Sequence, residues 1–294
     1  MLAARKQPVT IGYVLPSEGN GFFEDVKRGI RTAEAEMRDF GLRTILTEVR
    51  GFYPNSHIEA IKNMAEQGCN ALCVTSADTP EIRDCINHVV ESGIPVVTIN
   101  TDLSDTKRLC YVGSDYLTAG RTAAGLLALC HGSPCLNLLI ATGSLEVKGH
   151  NDRIKGFLDT LELKATPHRL LRTYETQDDN GLAYEQTRKM LGEHEDANCI
   201  YIVAAGVEGV CKAVTELPGK RKKGMRLLCF DDFGAIKNYV RKGVIDFVIC
   251  QEPAQQGYQS VIKLFNYLLD GGNGKLDNYI TKAVIKIKEN LGNH

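Results

Sequence analysis

Six side chains stand after short apolar runs, or in the helix that follows one: Phe22, Phe23, Asn100, Arg153, Asp231 and Gln251. Phe22 and Phe23 offer flat apolar faces that bury a large area at little rotamer cost. Arg153 offers a planar fork of donors, Asp231 only accepts, and Asn100 and Gln251 each donate and accept. A sugar presents the complement, with apolar C–H faces and a rim of hydroxyls. Bonds from Arg153 or to Asp231 are charge-assisted, and so about twice as strong as neutral ones. Every one of these residues also has a plainer reading. The Phe pair reads as core at a helix start, Arg153 as a solvated helix residue, Asn100 as a turn and Gln251 as a buried hinge amide. Asp231 reads as the N-cap of the next helix, a place Asp fills well. His150 and Asn151 precede Arg153 and fall at the rim of the same region. Asp102 and Asp115 read as structural, with Asp115 capping the helix after it.

Covalent chemistry finds no support in the motifs. Gly143-Ser144 lacks the GxSxG elbow. Gly19-Asn20-Gly21 lacks the third glycine of a dinucleotide fingerprint, and neither a GxxxxGK[ST] phosphate loop nor HExxH occurs. The expectation is a binder with no catalytic residue, no cofactor and no metal, since neither Cys nor His shows paired ligand spacing. With 35 basic and 36 acidic residues the net charge is −1, so the chain by itself has no electrostatic hold on nucleic acid. The basic run Lys220–Lys223 reads as an exposed, solvated loop. No apolar run approaches the roughly 18–20 residues of a membrane span, and the first residues lack the apolar stretch of a secretory signal. Most of the ten cysteines sit inside apolar patterns as small core hydrophobes. Scattered thiols fit a reducing compartment, so a cytoplasmic location is expected.

The elements that must position these groups alternate along the chain. Apolar runs at Val9–Leu15, Arg43–Val49, Ala71–Thr75, Pro95–Ile99 and Leu109–Val112 are separated by amphipathic stretches at Phe22–Phe40, Ile58–Gln67 and Pro80–Glu91. Such runs, bounded by turn residues, are the signature of buried parallel strands, and the alternation implies a sheet covered by helices on both faces. From Leu117 the pattern restarts, with runs at Leu136–Ala141, Arg169–Tyr174, Cys199–Val203, Leu227–Phe230 and Phe247–Cys250. A chain of 294 residues is long enough for two lobes with separate cores, since single cores stop growing near roughly 250–300 residues. The fold class is therefore α/β, with two doubly wound parallel-sheet lobes joined by a multi-crossover hinge. The tail, a helix at Ala254–Leu269 and a strand at Ala283–Ile287, crosses back between them. The division expected is 1–8 as a leader, 9–114 with 252–281 as one lobe, and 115–251 with 282–294 as the other. Ligands of open parallel sheets sit at the carboxyl ends of the strands, so one cleft between facing lobes is the expected site.

Several segments, in order and spacing, resemble a known family over about Val9 to Leu291. They are Ile11-Gly12-Tyr13-Val14, Asn20-Gly21-Phe22-Phe23, Gly93-Ile94-Pro95-Val96-Val97, Tyr111-Val112-Gly113-Ser114-Asp115 with Ala119-Gly120, Arg153 to Phe157, Cys229-Phe230-Asp231-Asp232, Gln251-Glu252-Pro253 with Gly257, and Glu289-Asn290-Leu291. Together they are similar to the periplasmic-binding-protein type 1 fold, and within it to the effector domain of lactose-repressor (LacI) family transcription regulators. The resemblance implies that Phe22 and Phe23 hold a sugar ring, with Asn20 a polar contact just before them. It gives Arg153, Asp231 and Gln251 hydroxyl contacts, and places Asn100 where relatives often carry Asp. Thr101 stands where ribose binders commonly carry Arg, and Gly206, at the rim, where many relatives carry Asn. Both changes remove hydrogen-bonding groups and argue against ribose. The resemblance further implies a homodimer, and operator DNA bound only through an N-terminal domain outside this sequence. Leu2 to Gln7 resembles the end of that family's hinge helix, which wedges into the minor groove. Ligand would favour the closed form only by its differential affinity. The other reading is a receptor feeding a transporter or a membrane sensor.

Overall fold

A computed structural model describes residues 8–17, 21–130 and 135–291; Asn20 and the leader up to Gln7 lie outside them. The chain divides into two compact units, Met1–Ser114 with Glu252–Lys282, and Asp115–Gln251 with Ala283–His294. It therefore passes from one unit to the other three times. Lys282, placed by sequence in the second lobe, belongs to the first, where its amide donates to Glu252 Oε2 at 3.0 Å.

The first unit holds β1 (Val9–Leu15), α1 (Gly21–Met37), β2 (Leu42–Glu48), α2 (Pro54–Glu66), β3 (Ala71–Val74), α3 (Pro80–Glu91), β4 (Val96–Asn100) and β5 (Cys110–Gly113). The second holds α4 (Tyr116–Cys130), β6 (Leu136–Thr142), α5 (Lys148–Leu163), β7 (His168–Glu175), α6 (Asn180–Glu193), β8 (Cys199–Ile202), α7 (Val207–Thr215), α8 (Gly219–Gly224), β9 (Arg226–Phe230), α9 (Ile236–Arg241) and β10 (Phe247–Cys250). The chain then returns to the first unit for α10 (Pro253–Leu269) and β11 (Tyr279–Ile280), and ends in the second with β12 (Val284–Lys286).

The sheets are ordered β11-β5-β4-β3-β1-β2 and β12-β10-β9-β8-β6-β7. Every pairing is parallel except β10 with β12. Central strands β3, β5, β8 and β10 are buried at every position, which is why they read as unbroken apolar runs. Edge strands β2 and β7 alternate toward solvent. Two apolar layers flank the second sheet, one built on Phe157 and Tyr201, the other on Ile200, Val210 and Ile236.

Local chemistry sets the helix boundaries. Thr79 caps α3, with Pro80 next to it. Asp179 caps α6 by accepting from Leu182 N at 2.7 Å, and Asp115 accepts from Thr118 N at 2.9 Å. The basic run is a correction to the sequence reading. Lys220–Lys223 lies within the helix α8, where the charges complement the carbonyl end of the dipole. Arg221 Nη2 donates to Leu191 O and His194 O at the end of α6, at 2.6 and 2.9 Å.

Both units hold helix pairs packed backbone to backbone, α6 and α7 at Gly209 among them. A Cβ on Gly120 would overlap the carbonyl oxygen of Arg153, and one on Gly156 that of Leu117, which locks α4 against α5. Gly29 and Gly257 do the same for α1 and α10.

Candidate functional site

In the second unit the sequence-predicted residues converge. Arg153 extends from α5 and is only 3% exposed, so it is not a solvated helix residue. Its guanidinium carbon lies 3.5 Å from the Phe230 ring centroid and 4.5 Å from that of Tyr116. Behind Phe230 the column continues through Tyr201, which stacks on Phe157 at 4.1 Å. Arg153 is thus held between two aromatic rings, an environment suited to the weakly hydrated guanidinium. Its Nη1 donates to Val203 O at 2.5 Å. Its Nε and Nη2 are buried and have no hydrogen-bond partner among the described residues. An unmade bond of a buried charged donor costs about 1–3 kcal/mol or more, so these two N–H directions call for an acceptor.

Asp231 supplies the opposite charge. It follows β9 at φ 62°, a left-handed conformation that Asp tolerates better than most residues. It does not cap the next helix. Its Oδ1 accepts from Gln251 N at 3.0 Å and its Oδ2 from Gln251 Nε2 at 2.6 Å. Burial pushes the carboxyl up to about 6, against the pull of Arg153 and of the two Gln251 bonds. Gln251 is the last residue before the chain re-enters the first unit, and it is buried, so its amide pairs with Asp231 at a crossing.

The rim residues divide. His150 is buried, with Nδ1 3.1 Å from Ser144 O. Desolvation lowers its pKa and Asp178 opposes that. Asn151 is exposed and turns away, donating to Leu145 O at 2.7 Å. Gly206 sits at φ 87° ahead of α7, and a Cβ there would press on Ala183 Cβ at 2.9 Å. A turn and close packing explain that glycine.

In the first unit, Phe22 and Phe23 open α1, both buried and edge to face with centroids 5.2 Å apart. Asn100 ends β4 at φ 66°, and its carbonyl accepts from the Tyr111 hydroxyl at 2.6 Å. Thr101 is buried, and its Oγ1, like Ser76 Oγ, has no partner among the described residues. Asp102 is structural: it pairs with Arg108 through bonds of 2.6 and 2.7 Å.

Sequence reasoning missed four contributors. Ser76 and Thr142 are buried hydroxyls at the carboxyl ends of β3 and β6. Tyr116 lies under Arg153, and burial pushes its hydroxyl up to about 12. Asp178, at φ 57°, accepts from Ala205 N at 3.0 Å and reaches over Gly143. The strand-end rule could have found Ser76 and Thr142, since each follows or ends an apolar run.

A family model for the periplasmic binding protein domain matches residues 11–273. The chain belongs to that family. Among its relatives, the ribose import binding protein RbsB of Bacillus subtilis (strain 168) is 27% identical over 126 residues, 43% of this chain and 40% of that protein. The alignment thus spans less than half of that relative. Among solved structures, GanP, a glucose-galactose binding protein from Geobacillus stearothermophilus, shares 26% identity at a TM-score of 0.87, covering 97% of this chain and 99% of the other. A putative LacI transcriptional regulator from Bacteroides fragilis shares 20% at a TM-score of 0.83, covering 97% and 99%; at that identity the likeness is one of fold. These likenesses bear out the two-lobed parallel-sheet architecture of periplasmic binding proteins read from the sequence. Among the described residues no group of three or more His, Cys, Asp or Glu is placed to hold a metal.

Proposed function

We propose that this chain is a receptor for a small carbohydrate, capturing its ligand without transforming it and presenting it to a transporter or a membrane sensor. One observation carries the reading: Arg153 is buried against two aromatic rings with two N–H directions unmatched. Beside it the Asp231–Gln251 pair offers acceptors and donors. A polyol fills both needs, because each hydroxyl gives one hydrogen bond and takes another. Relatives named for ribose and for glucose and galactose support a sugar. Thr101, where the sequence resemblance gives ribose binders an arginine, argues against ribose itself. Phe22, Phe23 and Asn100, like Arg153, Asp231 and Gln251, are proposed to contribute to affinity. The test is calorimetry and thermal shift against D-ribose, D-arabinose, D-glucose, D-galactose and D-tagatose. Saturable binding of at least one, abolished or weakened by Arg153→Met, is the expected result. No binding across the panel would sink the proposal.

A second reading, the effector domain of a dimeric, cytoplasmic LacI-type regulator, is favoured by the cysteines. All ten are free thiols and eight are buried, as suits a reducing compartment. Operator DNA would then be held through a separate N-terminal domain. Sizing by light scattering separates the two, with a dimer for the regulator and a monomer for the receptor.

A further inference from the structure

We infer that Tyr111 is a positioning residue that couples the strand end bearing Asn100 to the segments where the chain leaves the first unit. The inference rests on Asn100 contributing to sugar affinity, as proposed above. Tyr111 lies in β5 and is buried. Its hydroxyl faces two backbone carbonyls, Asn100 O at 2.6 Å and Ser114 O at 2.9 Å. A phenol carries one hydrogen, so the two carbonyls compete for a single donor. One belongs to a residue held at φ 66°. The other belongs to the last residue before the chain passes into the second unit. The neighbouring glycine makes this possible, because a Cβ on Gly113 would overlap the Tyr111 hydroxyl.

From Ser114 the connection runs on through all three crossings. Ser114 Oγ and Thr281 Oγ1 are 3.0 Å apart, and Thr281 N donates to Gly113 O at 2.8 Å. Lys282, next in the chain, donates its amide to Glu252 Oε2 at 3.0 Å. Glu252 is the first residue after the second crossing and sits at φ 52°. Residues 114, 252 and 282 mark where the first unit is left or re-entered, and hydrogen bonds string them together. Tyr111 ties that string to Asn100. A ligand that turns the Asn100 peptide changes how well its carbonyl competes for the hydroxyl. The hydrogen then shifts toward or away from Ser114, and the crossing segment is loosened or held.

The test uses the full chain and has two arms. In the ligand-free arm, hydrogen exchange is followed at the Thr101 and Thr281 amides, which donate to Ile99 O and Gly113 O at 2.8 Å each. Tyr111→Phe removes only the hydroxyl and is expected to speed exchange about tenfold at both. Acceleration at one alone, or at neither, overturns the coupling. Thr281→Val serves where Tyr111→Phe does not fold. It is remote from Asn100 in sequence, and it too should speed exchange at Thr101; an unchanged Thr101 overturns the coupling.

In the second arm, calorimetry with D-glucose and D-galactose should show Tyr111→Phe weakening binding about fivefold. The loss should be less than twofold when added to Asn100→Ala and remain about fivefold when added to Gln251→Ala. Full additivity with Asn100→Ala would show that Tyr111 acts elsewhere. If neither sugar binds the wild-type chain, the receptor reading loses support while the exchange arm still decides the coupling.

Discussion

Asn100 ends the third strand of the first sheet at φ 66°, and Asp231 follows the third strand of the second at φ 62°. Two sheets of the same strand order thus carry a left-handed short polar residue at the same place. Such conformations cost of order 1–3 kcal/mol and persist where the surroundings impose them. What differs is the chemistry mounted on the plan. The first unit offers neutral groups, the Phe22–Phe23 pair and the hydroxyls of Ser76 and Thr101. The second concentrates charge in Arg153 and Asp231, each nearly sealed from solvent. Charge buried this way has the larger stake in being matched. Substitutions in the second unit should therefore change ligand affinity more than their counterparts in the first.

The largest expected effect tests the shared plan. Gly156 and Gly257 occupy matching close approaches, one between α4 and α5, the other between α1 and α10. Alanine gains about 1 kcal/mol of helix propensity over glycine, but overlap with a fixed carbonyl costs roughly 3 kcal/mol, so the clash wins. Gly156→Val and Gly257→Val should each lower stability by at least that much in urea titrations. If only one does, the two helix pairs are not equivalent.

The comparison sharpens at the charged end. Arg153→Met preserves much of the layer between Tyr116 and Phe230 while deleting the donors. It should weaken sugar binding by about 1.5–3 kcal/mol, the range for a charged hydrogen bond, which is roughly 10- to 100-fold. Equal affinity in calorimetry would move Arg153 out of the site and leave it a structural layer of the stack.

How much of this the sequence could disclose depended on the range of the interaction. Strands β3, β5, β8 and β10 were legible because full burial leaves an apolar run with turn residues at both ends. Asp231 and Gln251 were legible as strand-end polar residues, yet their pairing across 20 positions was not, since only the parallel register of β9 and β10 brings them together. Tyr111 was legible only as a member of the apolar run Leu109–Val112. Its role comes from facing Asn100 and Ser114 at once, which local pattern does not encode. The basic stretch at Lys220 misled because a short helix was stabilised by Arg221 capping another helix some 27–30 positions away.

A third measurement uses pH. Burial holds Asp231 at about 6 in the folded chain, above the usual Asp value of 3.8. The folded state therefore keeps this proton while the unfolded chain gives it up. Its contribution to stability is fully present below about pH 4 and is lost as pH rises through about 6. Ligand affinity runs the other way, because a charge-assisted acceptor needs the ionised form. At pH 5 only about one molecule in ten carries that charge, so sugar affinity should fall about tenfold between pH 8 and pH 5. Asp231→Asn should flatten that profile. A profile that stays steep in Asp231→Asn assigns the titration to another group, with His150 the first to examine.

The smallest effect separates strain from contact in the neutral unit. Asn100→Ala removes the side chain and also forces a Cβ residue without local hydrogen bonding to hold φ near 66°, which costs about 1 kcal/mol. Asn100→Gly removes the same side chain but relaxes the backbone, since glycine enters this region freely. If the side chain touches sugar, both variants should lose about 1 kcal/mol of affinity, the worth of a neutral hydrogen bond. Only the alanine variant should also lose stability. If instead the residue serves only as a turn, Asn100→Gly should bind as the wild type does, and the two sheets would share a backbone device without sharing its use.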